Sequence, residues 1–165
     1  MKLALGIDPG LAITGFGLVR LQEDGGLEVV TFGAILTPPN LTVPERLRLL
    51  YGDLRDLIAE HHPGTCAVEK LFFQRNVSTA IAVGEARGVA MLAMAEAGLP
   101  VAEYTPNEIK QAVAGYGSAQ KRQVQEMVRT LLGLPDIPRP DDAADALAIA
   151  ITHLNTTHYE DPAPR

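Results

Sequence analysis

The chain has 165 residues, 47% of them hydrophobic, and a formal charge of −6. That length and apolar content predict one domain with a full core, and the charge excludes nucleic-acid binding by bulk positive charge while allowing a local basic patch. No run of about 18 or more apolar residues occurs, which argues against a membrane span, and the single cysteine, Cys66, excludes an intramolecular disulfide and points to a reducing cytoplasm.

The opening MKLALGIDPG has one lysine and a short apolar run cut by Asp8 and Pro9, so it reads as a strand and not as a signal peptide. LALGID suits a buried strand. TGFGLVRL and LEVVTFGAIL follow, separated by EDGG, a strong hairpin signal. Pro38 and Pro39 end this meander. Leu47, Leu50, Leu54, Leu57 and Ile58 recur at helical spacing and predict a helix over residues 43–62, stopped by Pro63 and Gly64. TCAVEKLF reads as a fourth strand, with Cys66 a small buried side chain. A long helix over residues 78–97 ends at Gly98. Its small residues Ala80, Gly84 and Gly88 suit packing on a sheet or, more sharply, a helix–helix dimer seam. PVAEY is the fifth strand. Thr105 and Pro106 open a short helix, Ser118 caps another and Asp141 caps the last. Residues 155–165 read as a flexible tail after a single domain over residues 1–154. The order β-β-β-α-β-α-β-α-α predicts an α/β fold, a five-stranded mixed sheet flanked by helices.

The last helix begins with an apparent contradiction. RPDDAADALAIA turns into buried-type alanine and leucine, yet Asp141, Asp142 and Asp145 crowd its first turn. Acids there complement the helix dipole, which accounts for Asp141. Asp142 and Asp145 lie three apart on one face and repel each other. Asp8 ends the first strand at a Pro-Gly turn, and Glu69 ends the fourth after an apolar run. Read singly, each acid is a strand-end residue reaching solvent. Together they converge if the first and fourth strands are neighbours. Such carboxylates repel by about 4 kcal/mol per pair at roughly 4 Å and an effective dielectric of about 20. A multivalent cation or shared protons relieve this, and all-oxygen ligands favour Mg²⁺ or Mn²⁺ over zinc. His61 and His62 lie apart from these acids, as a solvated helix end.

GIDPGLAITGFG, AVEKLFFQRN, GSAQKRQVQEMV and DDAADALAIAITH, in that order along residues 2–153, resemble the RuvC family of Holliday junction resolvases. The resemblance implies a ribonuclease H-like fold, a homodimer, and metal-dependent cutting of four-way DNA junctions in recombination and repair. It puts the family's acidic tetrad on Asp8, Glu69, Asp142 and Asp145, as catalytic residues and ligands for two Mg²⁺ per subunit, with Mn²⁺ a substitute. Two cations roughly 3.5–4 Å apart clamp an in-line displacement, leaving 5′-phosphate and 3′-hydroxyl ends. Lys110 and Lys121 match substrate-facing basic positions, and Phe72 matches an aromatic that meets unstacked bases near the branch point. Arg75 is a further DNA-binding candidate from local context, whereas Arg122 reads as solvated. A branch-migration helicase of the RuvA and RuvB type is the implied partner, with no membrane involved.

Other classes are distinguishable. The first strand-turn also resembles the phosphate turn of actin-like and sugar-kinase ATPases, which need two such domains. A module that binds branched nucleic acid without cutting it lacks a use for the acids. A related nuclease acting on an RNA precursor fits the extended match through AVEKLFFQRN less well.

Overall fold

The computed structural model describes residues 2–71 and 77–160, with side chains as far as residue 157. Among these, five strands and five helices follow in chain order: β1 (Lys2–Asp8), β2 (Ile13–Leu21), β3 (Leu27–Leu36), α1 (Val43–His61), β4 (Thr65–Glu69), α2 (Val77–Glu96), β5 (Val101–Tyr104), α3 (Pro106–Ala114), α4 (Lys121–Leu131) and α5 (Asp141–Glu160). They form one mixed sheet in the order β3-β2-β1-β4-β5. The first three strands are an antiparallel meander, and β4 and β5 add in parallel. The predicted α/β architecture is the observed one, with β1 and β4 side by side.

Alternation along the strands sorts side chains between two layers. Leu5, Ile7, Leu18, Cys66 and Val68 face α1 and α2, where they meet Leu50, Leu54, Ile58, Ala86, Ala90 and Met94. Ala4, Val19 and Ala67 face the other way, against Val128 of α4 and the buried run Leu147–Leu154 of α5. Cys66 is fully buried, and burial pushes its thiol up to about 12. Buried His153 bridges α5 to the sheet, its Nε2 2.6 Å from Thr65 Oγ1 and its Nδ1 2.8 Å from Tyr104 Oη. Burial lowers its pKa to about 4, so the imidazole is neutral.

Helix α5 lies unusually close to β1 and β2 because glycine paves its path. A Cβ on Gly6 would stand 2.1 Å from the Ala146 carbonyl oxygen, and one on Gly15 would stand 1.9 Å from that of Asp142. At Gly17 it would meet the Leu147 side chain at 2.7 Å. Asp142, Ala146 and Ala150 form one i, i+4 row of α5, and that row rides on the strip.

Several local expectations are corrected. Strand β4 stops at Glu69 and does not continue through Lys70 and Leu71, while Phe72 lies outside the described residues: β5 turns into α3 at Thr105 and Pro106, and among the described residues the Lys70 N–H to the Tyr104 carbonyl at 2.8 Å has no successor in the sheet. The stripe Ala80, Gly84, Gly88 does not pack on the sheet. The buried row is Ala86, Ala90, Ala93 and Met94, while Gly88 has open space where a Cβ would be. Helix α2 is the one described helix long and apolar enough to cross a membrane, at mean hydropathy 1.3. Its buried row Ala86, Ala90, Ala93 and Met94 packs against α1 and the sheet, while Val77, Ile81 and Leu92 leave apolar surface exposed. Ser118 lies in a turn too early to cap α4; Gln120 does so, its N–H donating to Gln123 Oε1 at 2.7 Å. Helix α5 continues past Asn155 to Glu160, and residues 161–165 lie outside those described.

The glycine strip gives a direct prediction. Gly6→Ala and Gly15→Ala should each destabilise the fold by about 1–3 kcal/mol or more, the usual range for overpacking. Gly52→Ala in α1, where a Cβ meets nothing within 4 Å, should be neutral or stabilising by up to about 1 kcal/mol. Urea unfolding of the three variants measures this.

Candidate active site

Strand period places Asp8 on the same face as Ala4 and Gly6, the face that α5 covers. Its turn is held by Thr14, whose hydroxyl donates to the Gly10 carbonyl at 2.7 Å and accepts from the Gly10 N–H at 3.3 Å. Asp8 pairs across the sheet with Gly15, the residue directly beneath Asp142. On the parallel side Ile7 pairs with Val68, which sets Glu69 beside Asp8. Glu69 shares the face of Ala67 and so also points toward α5. The sheet ends and the first turn of α5 thus bring Asp8, Glu69, Asp142 and Asp145 into one electrostatic neighbourhood.

The charges register this. Burial, then Asp145, Asp142 and Glu69, push the Asp8 carboxyl from the ordinary 3.8 to about 8. Asp145 is the acid that acts most strongly on Asp8. Burial raises Asp145, opposed by Lys121 and reinforced by Asp142. Burial and Asp145 raise Glu69 against the pull of Lys110 and Lys121. Among the described residues, no three Asp, Glu, His or Cys side chains already stand at ligand distance around one point. The acids are coupled by charge more tightly than by contact.

Lys121, at the start of α4, reaches into the cluster. Its Nζ lies 3.4 Å from Asp141 and 3.6 Å from Asp145. Partial burial works against its charge, but Asp145 and Asp141 outweigh that and raise its pKa. With side chains this exposed, such pairs contribute roughly 0–1 kcal/mol, so Lys121 is easily drawn off. A pocket of about 220 Å³ opens here between α3, α4 and α5, lined by Glu69, Lys110, Lys121 and Asp145 over an apolar floor of Ile109, Val124 and Ile149.

Asp141 is not the cap the sequence suggests. The Pro140 carbonyl accepts from the Ala143 N–H at 2.9 Å, so Asp141 is already inside the first turn and its carboxylate meets Lys121 and Gln125 Nε2. Arg122 is spent on Glu126 at 3.2 Å, as is Arg129 at 3.0 Å. His61 sits beside Glu60, and His62 closes α1 in a left-handed conformation, away from the acids. Phe72 and Arg75 lie outside the described residues. Sequence reasoning missed Gln125, which braces Asp141, and Arg87, whose Nε donates to the Glu69 carbonyl at 3.4 Å. A lone arginine among the alanines of α2 was the only available sign of the latter.

The family model described as crossover junction endodeoxyribonuclease RuvC matches residues 4–153. The crossover junction endodeoxyribonuclease RuvC of Chloroflexus aggregans is 61% identical over 154 residues, 93% of this chain and 93% of its own length. A Thermus thermophilus RuvC structure superposes at TM-score 0.90 and 37% identity, covering 96% of this chain and 97% of that one. T. thermophilus RuvC in complex with Holliday junction substrate matches at TM-score 0.87 and 35% identity, covering 96% of each chain. The sheet order, the acids at its central strand ends and these matches define a ribonuclease H-like fold. The chain belongs to the RuvC family of crossover junction endodeoxyribonucleases.

The raised Asp8 pKa predicts a slope in stability. Between 3.8 and about 8 the folded chain keeps a proton that the unfolded chain has released. Without divalent cation, stability should therefore fall as pH rises through that window. Asp8→Asn should flatten the fall without abolishing it, because Glu69 and Asp145 are raised too. Melting temperatures against pH in chelator check this; parallel curves for the two proteins contradict it.

Proposed function

We propose that this chain resolves four-way DNA junctions by metal-dependent hydrolysis, with Asp8, Glu69, Asp142 and Asp145 as the metal ligands. The observation that carries the reading is the convergence of the four acids where the ends of β1 and β4 lie side by side beneath the start of α5; burial, then the charge of Asp145, Asp142 and Glu69, raises the Asp8 carboxyl there. So much negative charge in a half-buried site costs free energy that a hard divalent cation recovers, and the donor set is all carboxylate oxygen. The fit is one of chemistry and charge, and ligation calls for the carboxylates to turn toward a common point. Mg²⁺, two per subunit, is the proposed ion, with Mn²⁺ able to substitute.

Bound there, such ions supply Lewis-acid stabilisation of charge at phosphorus and an acidified water as nucleophile. The chain's own part is positioning. Asp142 and Asp145 are fixed by the packing of α5 on glycine, and Asp8 by the Thr14-braced turn. Lys110 and Lys121 line the pocket beside the acids and are proposed to hold the flanking phosphates. Lys121 exchanges its weak hold on Asp141 and Asp145 for phosphate oxygen. Phe72 and Arg75 are proposed to meet unstacked bases and backbone at the branch point. The expected products carry 5′-phosphate and 3′-hydroxyl ends.

Paired nicks need two such sites, and we propose a homodimer. Helix α2 supports it: Val77, Ile81 and Leu92 are exposed at 74%, 54% and 52%, on a helix whose Gly88 leaves room for close approach. A branch-migration helicase of the RuvA and RuvB type is the proposed partner. A single free, buried cysteine suits action in a reducing cytoplasm.

Incubation with Mg²⁺ and synthetic four-way junction, linear duplex or structured RNA tests the reading. Symmetric nicks in the junction alone are expected; preferential RNA cutting would overturn it. Glu69→Gln and Asp142→Asn should lower cutting by at least about a hundredfold, the upper end for loss of even an outer-shell partner, while junction binding persists because no positive charge is lost. Asp141→Asn should stay close to the parent, since among the described residues the Asp141 side chain bonds Lys121 and Gln125 at the exposed edge. Equal loss in Asp141→Asn and Asp142→Asn contradicts the assignment.

A further inference from the structure

We infer that Arg87 is a positioning residue for the acidic site, fixing from α2 the peptide that aims Glu69. The inference rests on the reading of Glu69 as a metal ligand.

Glu69 is the last residue of β4, so the sheet holds it from one side only. The peptide that follows it is held at both polar groups. The Lys70 N–H donates to the Tyr104 carbonyl at 2.8 Å, and the Glu69 carbonyl accepts from Arg87 Nε at 3.4 Å. Arg87 is itself fixed. Its Nη2 bonds Glu103, the β5 residue next to Tyr104, and its Nη1 lies 3.1 Å from Met91 Sδ one turn along α2. Its side chain is only 18% exposed. One guanidinium therefore joins α2, the end of β4 and the end of β5. The planar fork is required, because a lysine offers a single ammonium that cannot serve the Glu69 carbonyl and Glu103 in the same geometry.

A ligand at a strand end needs such a brace, because metal sites lose affinity when the supporting shell is loose. Without Arg87, the peptide after Glu69 keeps, among the described residues, its Tyr104 bond alone, and the carboxylate samples orientations that miss the cation. Among the described residues Arg87 bonds no other acid of the site, so its effect passes through Glu69.

The test titrates Mn²⁺ into the DNA-free full-length chain by calorimetry, for the parent, Arg87→Lys, Arg87→Gln and Glu69→Gln. Melting temperature and junction binding in chelator are followed alongside. Arg87→Lys and Arg87→Gln should each weaken Mn²⁺ binding by about 10–100-fold, the range for lost outer-shell partners, with junction binding in chelator unchanged. Should Arg87→Gln fail to fold, Arg87→Lys, which keeps the charge opposite Glu103, decides alone. Parent-like Mn²⁺ affinity in the Arg87 variants, with Glu69→Gln impaired, overturns the inference and leaves the ligand reading standing. Parent-like affinity in Glu69→Gln overturns both. Loss of metal affinity only in step with melting temperature and junction binding makes Arg87 a general stability residue and also overturns it.

Discussion

The close approach of α5 to β1 and β2 is the constraint on which the rest depends. With a Cβ at Gly6 or Gly15 the helix backbone would have to move outward, since the contacts would be 2.1 and 1.9 Å to main-chain oxygen. Backbone cannot yield there as the tip of a flexible side chain can. The three glycines Gly6, Gly15 and Gly17 set the height of α5 above the sheet. That height sets how far the Asp142 and Asp145 carboxylates stand from Asp8. Packing and chemistry are one design at this point.

The same closeness creates the electrostatic problem that the function uses. Carboxylates brought together under partial burial resist ionisation, and the fold answers with what it has: a proton held on Asp8 and the ammonium of Lys121 against Asp145. Both answers are weak and reversible. A proton near pH 8 is readily given up, and a lysine pair at a wet edge contributes little. A divalent cation offers a stronger one, and its arrival would free Lys121 for phosphate. By contrast the buried His153, neutral between Thr65 and Tyr104, is a polar tie fully satisfied within the fold.

Much of this was legible in the sequence, because it lay in short patterns with a physical cause. The bounds of β3 followed from the EDGG turn before it and Pro38 and Pro39 after it, and the partnership of β1 and β4 from the crossover. The three-residue spacing of Asp142 and Asp145 gave the acidic face of α5. What was not legible depended on tertiary context. Asp141 has the chemistry of a cap, yet the helix begins one residue earlier and Lys121 claims the carboxylate. The spacing of Ala80, Gly84 and Gly88 says that something could approach closely, but not which side of α2 the sheet lies on; Ala86, Ala90 and Ala93 took that role. The grip of Arg87 on Glu69 joins residues 18 apart through a main-chain carbonyl, which leaves no mark in side-chain patterning.

On the proposed function, the acids gathered by the glycine-seated helix are one cation site. Anomalous diffraction from crystals equilibrated with Mn²⁺ tests it most directly. Manganese peaks bounded by carboxylate oxygens of Asp8, Glu69, Asp142 and Asp145 are expected at about 2.0–2.6 Å, the range for hard divalent cations, with Lys121 drawn away from Asp145. Saturating Mn²⁺ that leaves these carboxylates unliganded, or that binds elsewhere on the chain, would contradict it.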